Sequence, residues 1–214
     1  GWAPDCDYRL ASFAADVRAV IDELGAVPVI VGASLGGLTA VLLEGEMAPG
    51  SSRAIVLVDV VPELNTQGTS RIRAFMEERV LDGFGSLEEA AASIAAYNPH
   101  RPPPSDLSGL AKNLRERDGR WYWHWDPAFM TGDKSVSDVH DTERLRNAAR
   151  SLTVPVLLVR GRMSDVVSEE GVRSFLEDCP HAEFVDVSGA GHMVAGDRND
   201  AFTDAVVDFL SRAV

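Results

Sequence analysis

The chain has 214 residues, 45% hydrophobic and 25% charged, with 33 acidic against 20 basic side chains and a net charge of −13. That length suits one domain with a sizeable core, and the negative balance argues against nucleic acid or an anionic membrane as partner. Two cysteines, Cys6 and Cys179, form no disulfide framework and suit a reducing compartment, and no apolar run is long enough to span a bilayer.

In chain order, the first predicted helix is Tyr8 to Leu24, with Leu10, Phe13, Ala14, Val17, Ile21 and Leu24 on one face. A β-branched run, Val29-Ile30-Val31, reads as a buried strand. Gly32-Ala33-Ser34-Leu35-Gly36 follows, matching G-x-S-x-G, and Leu38 to Leu43 continue at helical length. Between a strand and a helix this pattern is a nucleophile elbow: the turn strains the serine backbone and lifts its hydroxyl clear of the sheet. A side chain two residues before or two after the serine is expected to clash. The Leu35 backbone N–H would point at a developing oxyanion. The pattern also arises by chance, and such a serine can be an N-cap or part of a phosphate-binding turn. A phosphate loop wants a nearby lysine, and Lys112 is the first in the chain.

A second strand, Ala54 to Val58, ends in Asp59. The next stretch, 62–151, differs in character: it has no strong strand pattern, and helical patches occur at Arg71 to Leu81, Leu87 to Tyr97, Leu107 to Arg117 and Thr142 to Ser151. Pro99-His100-Arg101-Pro102-Pro103-Pro104 reads as a stiff loop. Trp121-Tyr122-Trp123-His124-Trp125 holds three of the four tryptophans. These rings either line a substrate cavity, making Trp123, His124 and Trp125 candidate binding residues, or serve as packing anchors. Strand-like Pro155 to Val159 then leads through Gly161-Arg162-Met163-Ser164-Asp165. Ala182 to Val187 leads through Ser188-Gly189-Ala190-Gly191-His192. A final helix carries Phe202, Ala205, Val206, Phe209 and Leu210 on one stripe.

A serine hydroxyl needs a base to take its proton, and the base needs a carboxylate to fix its tautomer. Ser34, Asp165 and His192 each follow the C-terminal end of a predicted strand, the edge at which parallel sheets build sites. Asp59 also ends a strand and is the rival acid, though it can equally cap a local turn. His100, His124, His140 and His181 follow no strand and glycine-rich turn. No histidine or cysteine pair has metal-ligand spacing, so no metal site is expected.

V-G-A-S-L-G-G, V-L-V-D-V-V-P at 56–62, G-R-M-S-D at 161–165 and G-A-G-H-M at 189–193 together resemble the α/β-hydrolase superfamily, in its cap-bearing serine hydrolase branch. The resemblance covers nearly the whole chain. It implies an α/β fold with a parallel sheet flanked by helices, a core at 1–61 and 152–214 and a helical cap inserted at 62–151. It assigns Ser34 as nucleophile, Asp165 as acid and His192 as base. The implied activity is cofactor-free hydrolysis of a small-molecule ester through an acyl-enzyme. C–C bond hydrolysis and peroxide-dependent acyl chemistry are alternatives within the fold, and a non-catalytic ligand receptor is one outside enzymes. The resemblance also implies strands ahead of the first helix, with a second oxyanion donor on their loops. This chain is therefore expected to be the C-terminal portion of a larger enzyme, prone to associate and weakly active by itself. A cytoplasmic location is expected, with a leader segment left open by a chain starting at Gly1.

Overall fold

The computed structural model describes residues 2–97, 106–136 and 141–214. The expected stiff loop at 99–104, with His100, and also His140 lie outside the described residues. Helix α1 spans Leu10–Leu24, strand β1 Val29–Ala33 and helix α2 Leu35–Leu42, which runs into one π-helical turn, Leu43–Met47, before strand β2, Ala54–Val58. Next come α3 (Thr66–Glu77), α4 (Leu87–Tyr97), α5 (Ser108–Ala111), β3 (Leu114–Arg117), β4 (Arg120–Trp123), α6 (Ala128–Thr131) and α7 (Thr142–Arg150). The last elements are β5 (Val156–Gly161), α8 (Glu169–Asp178), β6 (Glu183–Val187), α9 (Val194–Asp197) and α10 (Asn199–Ala213).

The chain divides into two compact units, one of Arg9–Thr69 with Ser137–Val214 and one of Gly1–Tyr8 with Ser70–Val136. These limits differ from an insertion at 62–151. Helix α7 and residues 62–69 belong to the larger unit, and the first eight residues to the smaller.

In the larger unit four parallel strands lie in the order β1-β2-β5-β6. The central strands, β2 and β5, are buried at every position, as unbroken apolar runs covered on both faces should be. Ala54, Val56, Val58, Leu157 and Val159 face α10, where Phe209 is buried with Phe202, Val206 and Leu210 against it. The alternate residues face the other way: Leu57 approaches Gly37 of α2, which packs beside α1 and α7. Strand β1 forms the sheet's edge among the described residues, with Val31 half exposed. Buried Asp178 at the end of α8 accepts from Arg146 Nε (2.7 Å) and Arg150 Nε (2.8 Å) of α7. Burial raises the Asp178 carboxyl, but the two guanidinium groups outweigh it and hold the carboxyl below its ordinary range.

In the smaller unit the predicted helix over 107–117 is replaced by a short α5 and an antiparallel hairpin, β3–β4. Arg117 pairs with Arg120, leaving Asp118-Gly119 as a two-residue turn with φ of 53° and 74°. Positive φ at both central residues is the type I′ turn that matches strand twist, and Asp-Gly is its preferred sequence. Phe84 joins the sheet through a paired bridge to Trp121, its N–H to the Trp121 carbonyl at 2.7 Å and the reverse bond at 2.8 Å. Residues 2–8 are tied to the same unit, which is why α1 starts at Leu10 rather than Tyr8. The Tyr8 N–H donates to the Lys134 carbonyl (2.9 Å) and its hydroxyl to Asp126 Oδ2 (2.7 Å).

Candidate active site

Ser34 stands between β1 and α2 with φ 51° and ψ −122°, a backbone state that costs an L residue on the order of 1–3 kcal/mol. Two features hold it there. Its N–H donates to the Val58 carbonyl of the neighbouring strand (3.2 Å), and its own carbonyl accepts from Gly37 and Leu38 N–H groups as α2 begins. The tight approach at the turn involves Gly32, where a Cβ would sit 2.5 Å from the Gly36 carbonyl, and Gly37, where it would meet Val60 and the Gly32 carbonyl. Gly36, expected to be the second cramped position, has open space where a Cβ would stand, with no atom within 4 Å. The expectation of a clash two residues after the serine is corrected: the clash falls one residue later. Leu35 opens α2, so its N–H has no intrahelical acceptor and is free by position to donate to an anion.

One strand over, Asp59 also sits at positive φ. It follows β2 at φ 50°, and its N–H donates to the Val159 carbonyl (2.8 Å). Its side chain is fully buried, and three donors surround it. His192 Nδ1 lies 2.8 Å from Oδ2, the Ser164 hydroxyl 2.5 Å from the same oxygen, and the Gly161 N–H 2.9 Å from Oδ1. An ionised carboxylate only accepts, so Nδ1 carries the imidazole hydrogen and Nε2 is left with a lone pair. The His192 side chain is 17% exposed.

The carboxylate facing His192 is therefore Asp59, and the assignment of Asp165 to that place is corrected. The physical reason is a one-residue difference in the loop after β5. Ser164 turns inward to Asp59, whereas Asp165, next in sequence, lies on the exposed side of the turn. Nothing in the spacing of the sequence couples residue 164 to residue 59. Ser164 and the Gly161 N–H are the site groups that sequence reasoning missed.

Trp123 and Trp125 stack at 6.3 Å within the smaller unit, where Trp123 also meets Phe75 and Phe84 edge-on and Trp125 meets Phe129. His124 is exposed and its Nδ1 lies 3.0 Å from the Asn113 carbonyl. The tryptophan contacts described are thus contacts of packing. Burial pushes the Cys179 thiol up to about 11, which keeps it protonated and makes it a poor nucleophile. His181 contacts the Val154 carbonyl (3.0 Å) in the turn between α8 and β6, away from the Asp59 cluster. Among the described residues no three histidine, cysteine or acidic side chains are grouped to hold a metal ion, and no helix is long and apolar enough to cross a membrane.

The profile of the family described as Alpha/beta hydrolase family matches residues 1–205. Esterase Rv0045c of Mycobacterium tuberculosis (strain ATCC 25618 / H37Rv) is 29% identical over 215 residues, covering 96% of this chain and 68% of its own length. The mouse (Mus musculus) sn-1-specific diacylglycerol lipase ABHD11 is 28% identical over 228 residues, covering 98% and 67%. Among solved structures, that of an E-2-(acetamidomethylene)succinate hydrolase superposes with a TM-score of 0.81 at 23% identity, over 95% of this chain and 74% of that one, a likeness of fold. The sequence relatives carry the names of an esterase and a lipase, which supports a hydrolase.

Proposed function

The chain belongs to the alpha/beta hydrolase family, and from that premise we propose that it is a serine hydrolase of small-molecule esters. The observation that carries this reading is the Asp59–His192 pair at 2.8 Å, set at the same sheet edge as a serine held at positive φ. In the proposed reaction Ser34 Oγ attacks the acyl carbonyl while His192 Nε2 takes its proton. Asp59 keeps the Nδ1–H in place and stabilises the imidazolium as it forms. The Leu35 N–H donates to the oxyanion, and the new imidazolium returns its proton to the leaving alkoxide. Water then takes the alcohol's place, is deprotonated by His192, and releases the acid from Ser34. The esterase and lipase names of the relatives favour an ester over other acyl substrates.

The test is covalent. In the full-length protein a fluorophosphonate probe labels Ser34, and Ser34→Ala or His192→Ala abolishes labelling. Labelling that persists in Ser34→Ala moves the nucleophile elsewhere. A folded protein that is never labelled points to a non-catalytic ligand-binding role. p-Nitrophenyl esters of graded chain length then define the acyl group.

A further inference from the structure

Resting on the serine hydrolase reading, we propose that Ser164 is a positioning residue of this site: its hydroxyl fixes the Asp59 carboxylate, and through it the orientation of the His192 ring. Hydrogen bonding leaves the hydroxyl one role. A serine hydroxyl has two lone pairs and one proton. The Val166 and Val167 N–H groups donate to Ser164 Oγ at 3.1 and 3.2 Å, which engages both lone pairs. The proton is left for Asp59 Oδ2, 2.5 Å away. A hydroxyl so committed cannot accept, so Asp59 Oδ2 must itself be an acceptor toward Ser164 as well as toward His192.

That matters because Asp59 is fully buried, where a carboxylate has no water to complete its bonding. With His192 as sole partner its plane could turn about the Cβ–Cγ bond and carry the imidazole with it. Donors on both oxygens remove that freedom: Gly161 N–H holds Oδ1 at 2.9 Å, and Ser164 holds Oδ2. Both donors come from one turn, so the acid is oriented by a segment about 100 residues away in sequence.

The turn itself is fixed at several points. The Ser164 N–H donates to the Gly161 carbonyl (2.9 Å), the Arg162 N–H to Val187 (3.0 Å) and the Met163 N–H to Ala190 (2.9 Å), the last two residues ahead of His192. Buried Arg160 adds a bond from Nε to the Val167 carbonyl (2.8 Å). Acid, turn and histidine loop are thereby one bonded assembly. The role is separate from general loop support, since Val166 and Val167 need only an acceptor at Oγ, whereas Asp59 needs a donor.

The test compares Ser164→Ala and Ser164→Thr in the full-length protein, reading kcat and KM on a p-nitrophenyl ester and the proton resonance of His192 Nδ1–H. Ser164→Ala is expected to lower kcat about 10-fold, as befits one hydrogen bond to a charged group, with KM nearly unchanged and the Nδ1–H resonance displaced. Ser164→Thr, which keeps the donor, is expected to restore most of the rate and the resonance. If the alanine variant does not fold, Ser164→Cys, a weak donor of similar size, carries the same expectation of lost kcat. A wild-type kcat with an unmoved resonance in Ser164→Ala overturns the proposal, even if thermal stability falls. His192→Ala separates this from the reading beneath it. Fluorophosphonate labelling of Ser34 that survives His192→Ala defeats the hydrolase assignment itself, whereas labelling lost there, with kcat and the Nδ1–H resonance unmoved in Ser164→Ala, defeats only the role of Ser164.

Discussion

The C-terminal edge of the four-stranded sheet and the 70–136 unit are ordered by different means. At the sheet edge, directed hydrogen bonds do the fixing: Ser34 and Asp59 each donate an N–H to the next strand while sitting at positive φ, and Asp59 gathers three donors, one backbone and two side-chain. In the smaller unit rings pack on rings. Phe75 stacks on Tyr97 at 4.4 Å and meets Trp123, which in turn meets Phe84 and Trp125. Backbone geometry tolerates no change of atom type at a few positions, whereas ring packing spreads its energy over many contacts. Substitutions at the edge should therefore have effects that differ sharply from one position to the next, and those in the smaller unit should act by graded loss of stability.

The largest expected effect separates the two carboxylates of the sheet edge. Asp59→Asn offers His192 an amide, which can present its NH2 to Nδ1 and reverse the tautomer. The expected loss in kcat is about 10³–10⁴-fold, the scale seen when an acid in this role becomes an amide. Asp165→Asn should leave kcat within about 2-fold, since Asp59 already occupies Nδ1. Steady-state kinetics on one ester decides it: a larger loss in Asp165→Asn would reinstate that residue as the acid.

The second effect concerns the elbow glycines. In Gly32→Ala the new methyl meets Gly36 and Gly37 backbone at 2.5 and 2.6 Å, atoms with no room to yield. A destabilisation of about 3 kcal/mol or more, the upper range of overpacking, is expected from denaturant unfolding. Gly36→Ala meets nothing within 4 Å inside a helix and should stabilise by about 0.5–1 kcal/mol. Equal effects at the two positions would show that the turn is set by something other than close approach.

What the sequence displays follows the same division. Ala54 to Val58 and Val156 to Gly161 form strands because their apolar runs are buried at every position, Val29 to Ala33 pairs alongside as the partly exposed edge, and the ends of β1, β2 and β6 locate Ser34, Asp59 and His192. The choice between Asp59 and Asp165 is not legible, because it depends on which of two adjacent side chains, Ser164 or Asp165, turns inward. The β3–β4 hairpin escapes a reading by periodicity for a different reason. Leu107 to Arg117 has helical spacing, but Asp118-Gly119 ahead of the aromatic run Trp121-Tyr122-Trp123 is a hairpin signal, and pairing with Phe84 reinforces it. The turn dipeptide is the available clue.

A third prediction probes the ring packing. Trp123→Ala removes the ring that links Phe75, Phe84 and Trp125, with a cost of about 3 kcal/mol on the scale of large-to-small core changes. Hydrogen exchange should quicken in β3, β4 and the Phe84 bridge while the buried amides of β2 and β5 keep their protection. Exchange that rises equally in β2 and β5 would mean the two units share one cooperative core and would dissolve the distinction drawn between them.

The smallest expected effect lies at the tip of that hairpin, where backbone conformation is decisive. Gly119 sits at φ 74° beside Asp118 at 53°. A Cβ at Gly119 meets nothing within 4 Å, so steric contact with the rest of the protein is not at issue. What remains is the intrinsic penalty of placing an L side chain in the left-handed region, about 1 kcal/mol. Asp118 tolerates the same region better than most residues, through local hydrogen bonding of its short side chain. Gly119→Ala should therefore lower stability by about 1 kcal/mol in denaturant unfolding. Gly119→Asn, which visits positive φ more readily, should recover part of it. Because the tip is exposed and holds none of Ser34, Asp59 and His192, ester turnover should not change. A Gly119→Ala protein as stable as the parent would mean that cross-strand pairing of Trp121 and Trp123, rather than the turn, selects the hairpin. In that case ring packing would govern the smaller unit even at its tightest bend.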